Sequence, residues 1–215
     1  MNEESIYVLL LIGVQRDIIQ QLDIQQRYKA VKSLNTCIKY AETHKWLIIY
    51  ALELHHEKHF SFISQGGKLP SHCVNGTWGS QLGVTEPHDI YYNLYEQVLR
   101  GLDILSDSND AFYMSEPNEK NTLHGILSEY ETKNGGKSVC LYLMGVSSFF
   151  PIIPNTILKT AITAVSLGFK TTIVKDMCFI SNTTHDEQNQ ITLEHINIQE
   201  QLWEHIVNSS ETKIL

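Results

Sequence analysis

The run IYVLLLIGV at residues 6–14 decides how the chain folds. A short, unbroken apolar stretch rich in β-forming residues is the signature of a strand buried on both faces, and Gly13 stands at its end. From about Ile24 to Glu42, the residues Ile24, Tyr28, Val31, Leu34, Ile38 and Ala41 recur every three or four positions, the spacing of one helix face. WLIIYAL (46–52) is the next buried strand. VCLYLMGV (139–146), a helix over Ile157–Leu167 and TTIVKDM (171–177) then repeat the alternation. Strand, helix and strand in succession predict an α/β fold: a three-layer, doubly wound, mostly parallel sheet with helices on both faces, reached by right-handed crossovers. Ligands bind such sheets beyond the carboxyl ends of the strands.

The 215 residues suit one domain spanning 1–215. With 42% hydrophobic and 19% charged residues, the composition is that of a filled core and not of a disordered chain. A formal net charge of -8 speaks against a nucleic-acid partner, because phosphate-backbone affinity rests on clustered Lys and Arg. Cys37, Cys73, Cys140 and Cys178 lie far apart with no CxxC pair. Neither a zinc finger nor a disulfide framework is expected, and a cytoplasmic, reducing location is the default. The run Tyr7–Ile12 is too short to span a bilayer, and Glu3 and Glu4 occupy positions that a signal peptide would make basic. No membrane or targeting segment is expected.

Glu53, His55, His56, His59 and His72 crowd into twenty residues directly after the strand 46–52. The stretch from Glu53 to Tyr95 has few periodic signals and carries Gly66, Gly67, Pro70 and Pro87; a loop that long in one domain is usually functional. Carboxylate and neutral imidazole together suit a divalent transition metal such as zinc, and a small ligand set leaves positions open for water or substrate. Residues two apart project the same way from an extended chain, which favours joint ligation by Glu53 and His55 and turns His56 toward solvent. The spacing alone is met equally by a polar loop whose histidines make ordinary hydrogen bonds.

LELHHEKHFSFISQGGKLPSHCVNGTWGSQL, residues 52–82, resembles, without a gap, the nicotinamidase segment D-W-H-P-x-x-H-x-S-F, a glycine pair, then W-P-x-H-C-V-x-x-T-x-G. LIGVQRDI (11–18) resembles that family's opening V-D-x-Q-x-D-F. LRGLDILSDSNDAF (99–112) resembles the segment that runs from its lysine to G/A-F, and LYLMGVSSFF (141–150) resembles the strand entering G-V-A-T-x-Y-C. The likeness covers most of the chain and weakens after about residue 180. It implies the isochorismatase-like fold, a divalent ion held by Glu53, His55 and His72, a small-molecule ligand and, as is common in the family, a homo-oligomer. Glu53 stands where the family has Asp, keeping the charge on an arm one methylene longer.

Amide hydrolysis in that family uses a cysteine thiolate as nucleophile, an aspartate that exchanges protons with it and a supporting lysine. A thiol needs such a base and a positive neighbour to be reactive near neutral pH. The aspartate position reads Gly13, which carries no titratable group, and the lysine position reads Arg100, with Phe112 in register beyond it. The cysteine position falls on Pro151 counting forward from Gly145, or on Thr156 counting back from Thr160, Ala161, Gly168 and Phe169. Proline would also remove a backbone donor for an oxyanion. Asp17 is expected to brace a turn. The isochorismatase branch uses the same aspartate, so Gly13 removes that chemistry as well. Loss of a general acid or base costs ~10²–10⁴ in rate.

The favoured reading is therefore a catalytically inactive or strongly altered protein with a metal-lined, small-ligand pocket. One alternative is a hydrolase in which the metal activates water. Another is an ordinary nicotinamidase, converting nicotinamide to nicotinate, whose register differs around the insertion after Phe150. Arginine is effectively never deprotonated and its planar fork suits carboxylates. Arg100 beside a metal ion thus points to an aromatic carboxylate as ligand, against the plainer expectation of a strand-end ion pair.

Overall fold

The computed structural model describes residues 5–86, 93–112, 122–148, 156–181 and 212–214. Strands β1 (Ser5–Ile12), β2 (Leu47–Glu53), β3 (Tyr95–Arg100), β4 (Ser138–Ser148), β5 (Lys170–Ser181) and β6 (Thr212–Ile214) form one sheet. Their order is β3-β2-β1-β4-β5-β6, and every neighbouring pair is parallel. The helices are α1 (Arg16–Ile19), α2 (Ile24–Thr43), α3 (Leu123–Lys133) and α4 (Thr156–Ser166).

The period-two geometry of a strand sends alternate side chains to opposite faces, and β1 supplies both cores. Val8, Leu10 and Ile12 pack with Leu123 and Leu127 of α3 and with Ile157, Leu158 and Ala161 of α4. Leu9 and Leu11 pack with Ile18 and Ile19 of α1 and with Ala30, Leu34, Ile38 and Ala41 of α2. The result is the three-layer, doubly wound α/β architecture that the strand-helix alternation predicts. After β1 the chain builds outward through β2 and β3, and after β4 it builds the other way through β5. The β1–β4 boundary is therefore the switch point at which such sheets open a crevice.

Several elements differ from the sequence reading. Ile24 and Tyr28 are 80% and 72% exposed, whereas Ala30 continues the buried stripe. At 100° per residue Tyr28 lies about 120° around the helix from Leu34, so a spacing of three and four did not keep it on the core face. Strand β5 runs on to Ser181 and contains Cys178, because a register shift between Leu143 and Gly145 lets Gly145 pair with Cys178. β3 carries no apolar run: it is an edge strand whose burial is confined chiefly to Val98 and Arg100. Helix α3, opened by Thr122 accepting from Gly125 N at 3.0 Å, lies outside the segments that the apolar periodicity predicts. Among the described residues, no helix is long and apolar enough to cross a membrane.

Candidate metal centre

Parallel pairing of β2 with β3 sets Glu53 directly opposite Arg100 at the carboxyl edge of the sheet. The Glu53 backbone is held from the other side by Gln15, just beyond β1: Gln15 Nε2 donates to Glu53 O at 2.6 Å and Gln15 Oε1 accepts from Glu53 N at 2.7 Å. The same amide donates to Ser80 O at 2.9 Å, so one fully buried side chain ties three chain segments together. The sequence reading assigned Gln15 no role. Its signal was its place in the matched opening motif, two residues after Gly13.

His55 and His72 converge on the Glu53 carboxylate. His55 backbone N donates to Cys73 O at 3.0 Å and His55 O accepts from Asn75 N at 2.9 Å, which brings the His72 loop alongside. Asp17 accepts from Cys73 N at 2.8 Å through Oδ2, so its carboxylate braces that loop. Behind the His55 ring stands Gly101, φ +74, where an added Cβ would lie 2.4 Å from His55 Cε1. No larger residue leaves the imidazole room there.

Each ring Nδ1 faces a backbone carbonyl, His55 with Gly101 O at 3.2 Å and His72 with Pro70 O at 2.9 Å. A carbonyl can only accept, so in the neutral form of either ring the proton belongs on Nδ1 and Nε2 presents a lone pair to Glu53. Those two nitrogens lie 3.4 and 3.1 Å from the same oxygen, Glu53 Oε2. Burial, with the neighbouring His72, pushes the His55 pKa down, against the opposing pull of Asp107 and the Gly101 carbonyl. In its neutral form His55 directs a lone pair at a carboxylate lone pair, an arrangement that a proton or a metal ion between them makes favourable. Two imidazole nitrogens and one carboxylate oxygen, with the far side of each ring hydrogen-bonded, suit zinc or a similar divalent ion.

His59 approaches within 4.3 Å of His55, centroid to centroid, and with Asp107 forms a second group of close donors. Its own nitrogens are already satisfied: Nε2 donates to Ser106 O at 3.2 Å and Nδ1 accepts from Ser61 Oγ at 2.7 Å. That group has no facing lone pairs to relieve. His56 is exposed, as expected, and its ring Nδ1 accepts from Lys58 N at 3.1 Å.

Among the described residues, Arg100 and Gly13, which the resemblance matches to catalytic positions, follow or end strands at the same edge. Arg100 is 5% exposed; its Nη2 donates to Glu53 Oε1 and its Nη1 to Ser108 O at 2.7 Å, while Nε has no partner. Burial pushes its pKa below the usual arginine range against the pull of Asp107 and Asp110, and the group remains a cation. The fork is turned inward, so it does not stand free for bidentate contact with a ligand. Gly13 follows β1 with φ +64, and an added Cβ would lie 2.0 Å from Val146 O. Across from it Gly145, φ +137, would set a Cβ 2.0 Å from Ile12 O. The ends of β1 and β4 meet backbone to backbone where the aspartate side chain is expected. Thr156 is the buried first residue of α4, and Pro151 lies outside the described residues. Ser147 Oγ, on β4, is buried without a partner. Burial pushes the Cys73 thiol strongly up, aided by Asp17, and the Cys178 thiol up to about 12, which leaves neither as a ready nucleophile.

No protein-family model and no curated protein matches the chain. Solved structures do. The pyrazinamidase of Pyrococcus horikoshii, solved in complex with zinc, is 20% identical with a TM-score of 0.64, covering 97% of this chain and 98% of that one. The yeast nicotinamidase bound to the inhibitor nicotinaldehyde is 19% identical with a TM-score of 0.63, covering 98% and 99%. An isochorismatase-like hydrolase from Alkaliphilus metalliredigens is 16% identical with a TM-score of 0.55, covering 97% and 93%. The chain has the isochorismatase-like fold. Within that fold, the Glu53, His55 and His72 donors sit at the carboxyl edge of the sheet, where the parallel topology places ligand sites.

Proposed function

We propose that this isochorismatase-fold protein holds a divalent ion, zinc by its donor set, on Glu53, His55 and His72, and binds a small ligand beside it without hydrolysing amides. The observation that carries this reading is a contrast at one sheet edge. The Nε2 atoms of two histidines converge on Glu53 Oε2, while Gly13 has no room for a side chain. The ion would supply positive charge and open coordination positions. Ser147 keeps a buried hydroxyl without a partner, which supports a ligand with hydrogen-bond acceptors, such as the aromatic acid nicotinate. Four free cysteines support a cytoplasmic setting.

A second reading, a metal-dependent hydrolase, is favoured by the three-residue donor set, since catalytic zinc sites keep three protein ligands and one open position. Ammonia release from nicotinamide by the zinc-loaded protein separates the two. The proposal expects release at background with and without chelator. Release that survives cysteine alkylation and stops with chelator establishes the second reading, and release lost on alkylation establishes a conventional nicotinamidase.

A further inference from the structure

We infer that Arg100 is a positioning residue for the metal ligand Glu53, and that these two residues are a matched pair whose combined reach sets the ion-binding geometry. The inference rests on the proposed reading that Glu53, His55 and His72 hold an ion. Three observations lead to it. Glu53 divides its carboxylate, giving Oε1 to Arg100 Nη2 and Oε2 to the two histidine nitrogens. The guanidinium is itself fixed, because Nη1 donates to Ser108 O at 2.7 Å in the loop that follows β3. Both residues occupy one register position of the β2–β3 pair and are 6% and 5% exposed.

A glutamate arm has one more rotatable bond than an aspartate arm, so anchoring its backbone alone, as Gln15 does, leaves the carboxylate free to swing. The Arg100 bond removes that freedom and selects which oxygen faces the histidines. With Oε1 engaged, the carboxylate offers one oxygen to an ion rather than two. A buried carboxylate stripped of its cationic partner is also poorly solvated, and hydrogen-bonded neighbours of a metal ligand commonly tune affinity 10- to 100-fold.

Simple charge repulsion makes the opposite prediction: a fixed cation next to the site should weaken ion binding, so its removal should tighten it. The sign of one substitution decides. Cobalt(II) affinity and the visible spectrum of the cobalt-loaded protein are to be measured for wild type, Arg100→Gln, Arg100→Lys, Glu53→Asp and Glu53→Asp/Arg100→Gln. Positioning expects Arg100→Gln to lose about 10- to 100-fold in affinity with an altered spectrum, and Arg100→Lys to fall between it and wild type. It also expects Arg100→Gln to cost less than about threefold once Glu53 is already Asp, since the shorter arm no longer spans both partners. Should Arg100→Gln fail to fold, Arg100→Lys and Glu53→Asp must each still weaken binding and change the spectrum. Unchanged or tighter binding in the Arg100 variants, with wild type holding the ion, overturns the inference alone; no binding by wild type overturns it together with the reading on which it rests.

Discussion

Glu53 and Arg100 stand opposite each other across the β2–β3 register and share a buried ion pair. The pair ties the candidate ion site to the position that the sequence resemblance matches to the family's lysine.

Gly13 gives a prediction for the backbone. A non-glycine residue held at positive φ costs about 1–3 kcal/mol, and the overlap with Val146 O adds to that. Gly13→Ala is expected to lower stability by at least about 2 kcal/mol, a drop of about 4–8 °C in melting temperature for a chain of this size. Gly13→Asp is expected to destabilise similarly and to restore no ammonia release. Calorimetric melting of both variants checks this, and an unchanged Gly13→Ala would show that β1 and β4 separate readily at their ends.

Gln15→Leu removes both bonds to the Glu53 backbone and leaves a buried N–H and C=O without partners. Each unsatisfied group costs about 1–3 kcal/mol. The variant should unfold at lower urea and bind zinc more weakly than wild type. Lower stability with unchanged zinc affinity would separate the clamp from the site.

The pH dependence follows from the buried histidines. Burial pushes the pKa values of both His55 and His59 below the ordinary histidine value, so in metal-free protein the unfolded chain binds protons that the folded chain refuses. Stability then falls as pH drops below about 6.5, the unfolded value, and the loss levels off once pH is below the folded values. Chemical denaturation in chelator from pH 8 to pH 5 should show this decline. His59→Asn, which keeps a polar side chain at that position, should make it shallower; a flat profile in wild type would contradict neutral, buried rings.

Much of this was legible because the informative signals are local. The apolar runs at 6–14 and 46–52 and the acid–histidine cluster after them are contiguous in sequence, and a parallel sheet brings strand ends to one edge. What could not be read depends on pairing between distant segments. Nothing around Arg100 names Glu53 as its partner, because only the β2–β3 register sets them opposite each other. The same holds for the Gln15 clamp and for Gly101 behind His55. Ile24 and Tyr28 misled for another reason: their spacing fits a helix, but it does not say where the buried stripe ends.

Glu53, His55 and His72 are proposed to form one ion site. Elemental analysis of protein purified without added metal, beside a His55→Ala/His72→Ala double variant shown by circular dichroism to be folded, tests it most directly. About one divalent ion per chain is expected in wild type and essentially none in the variant, because two of three ligands are removed. Equal metal content in the two proteins, or none in wild type even after loading with zinc, would contradict it.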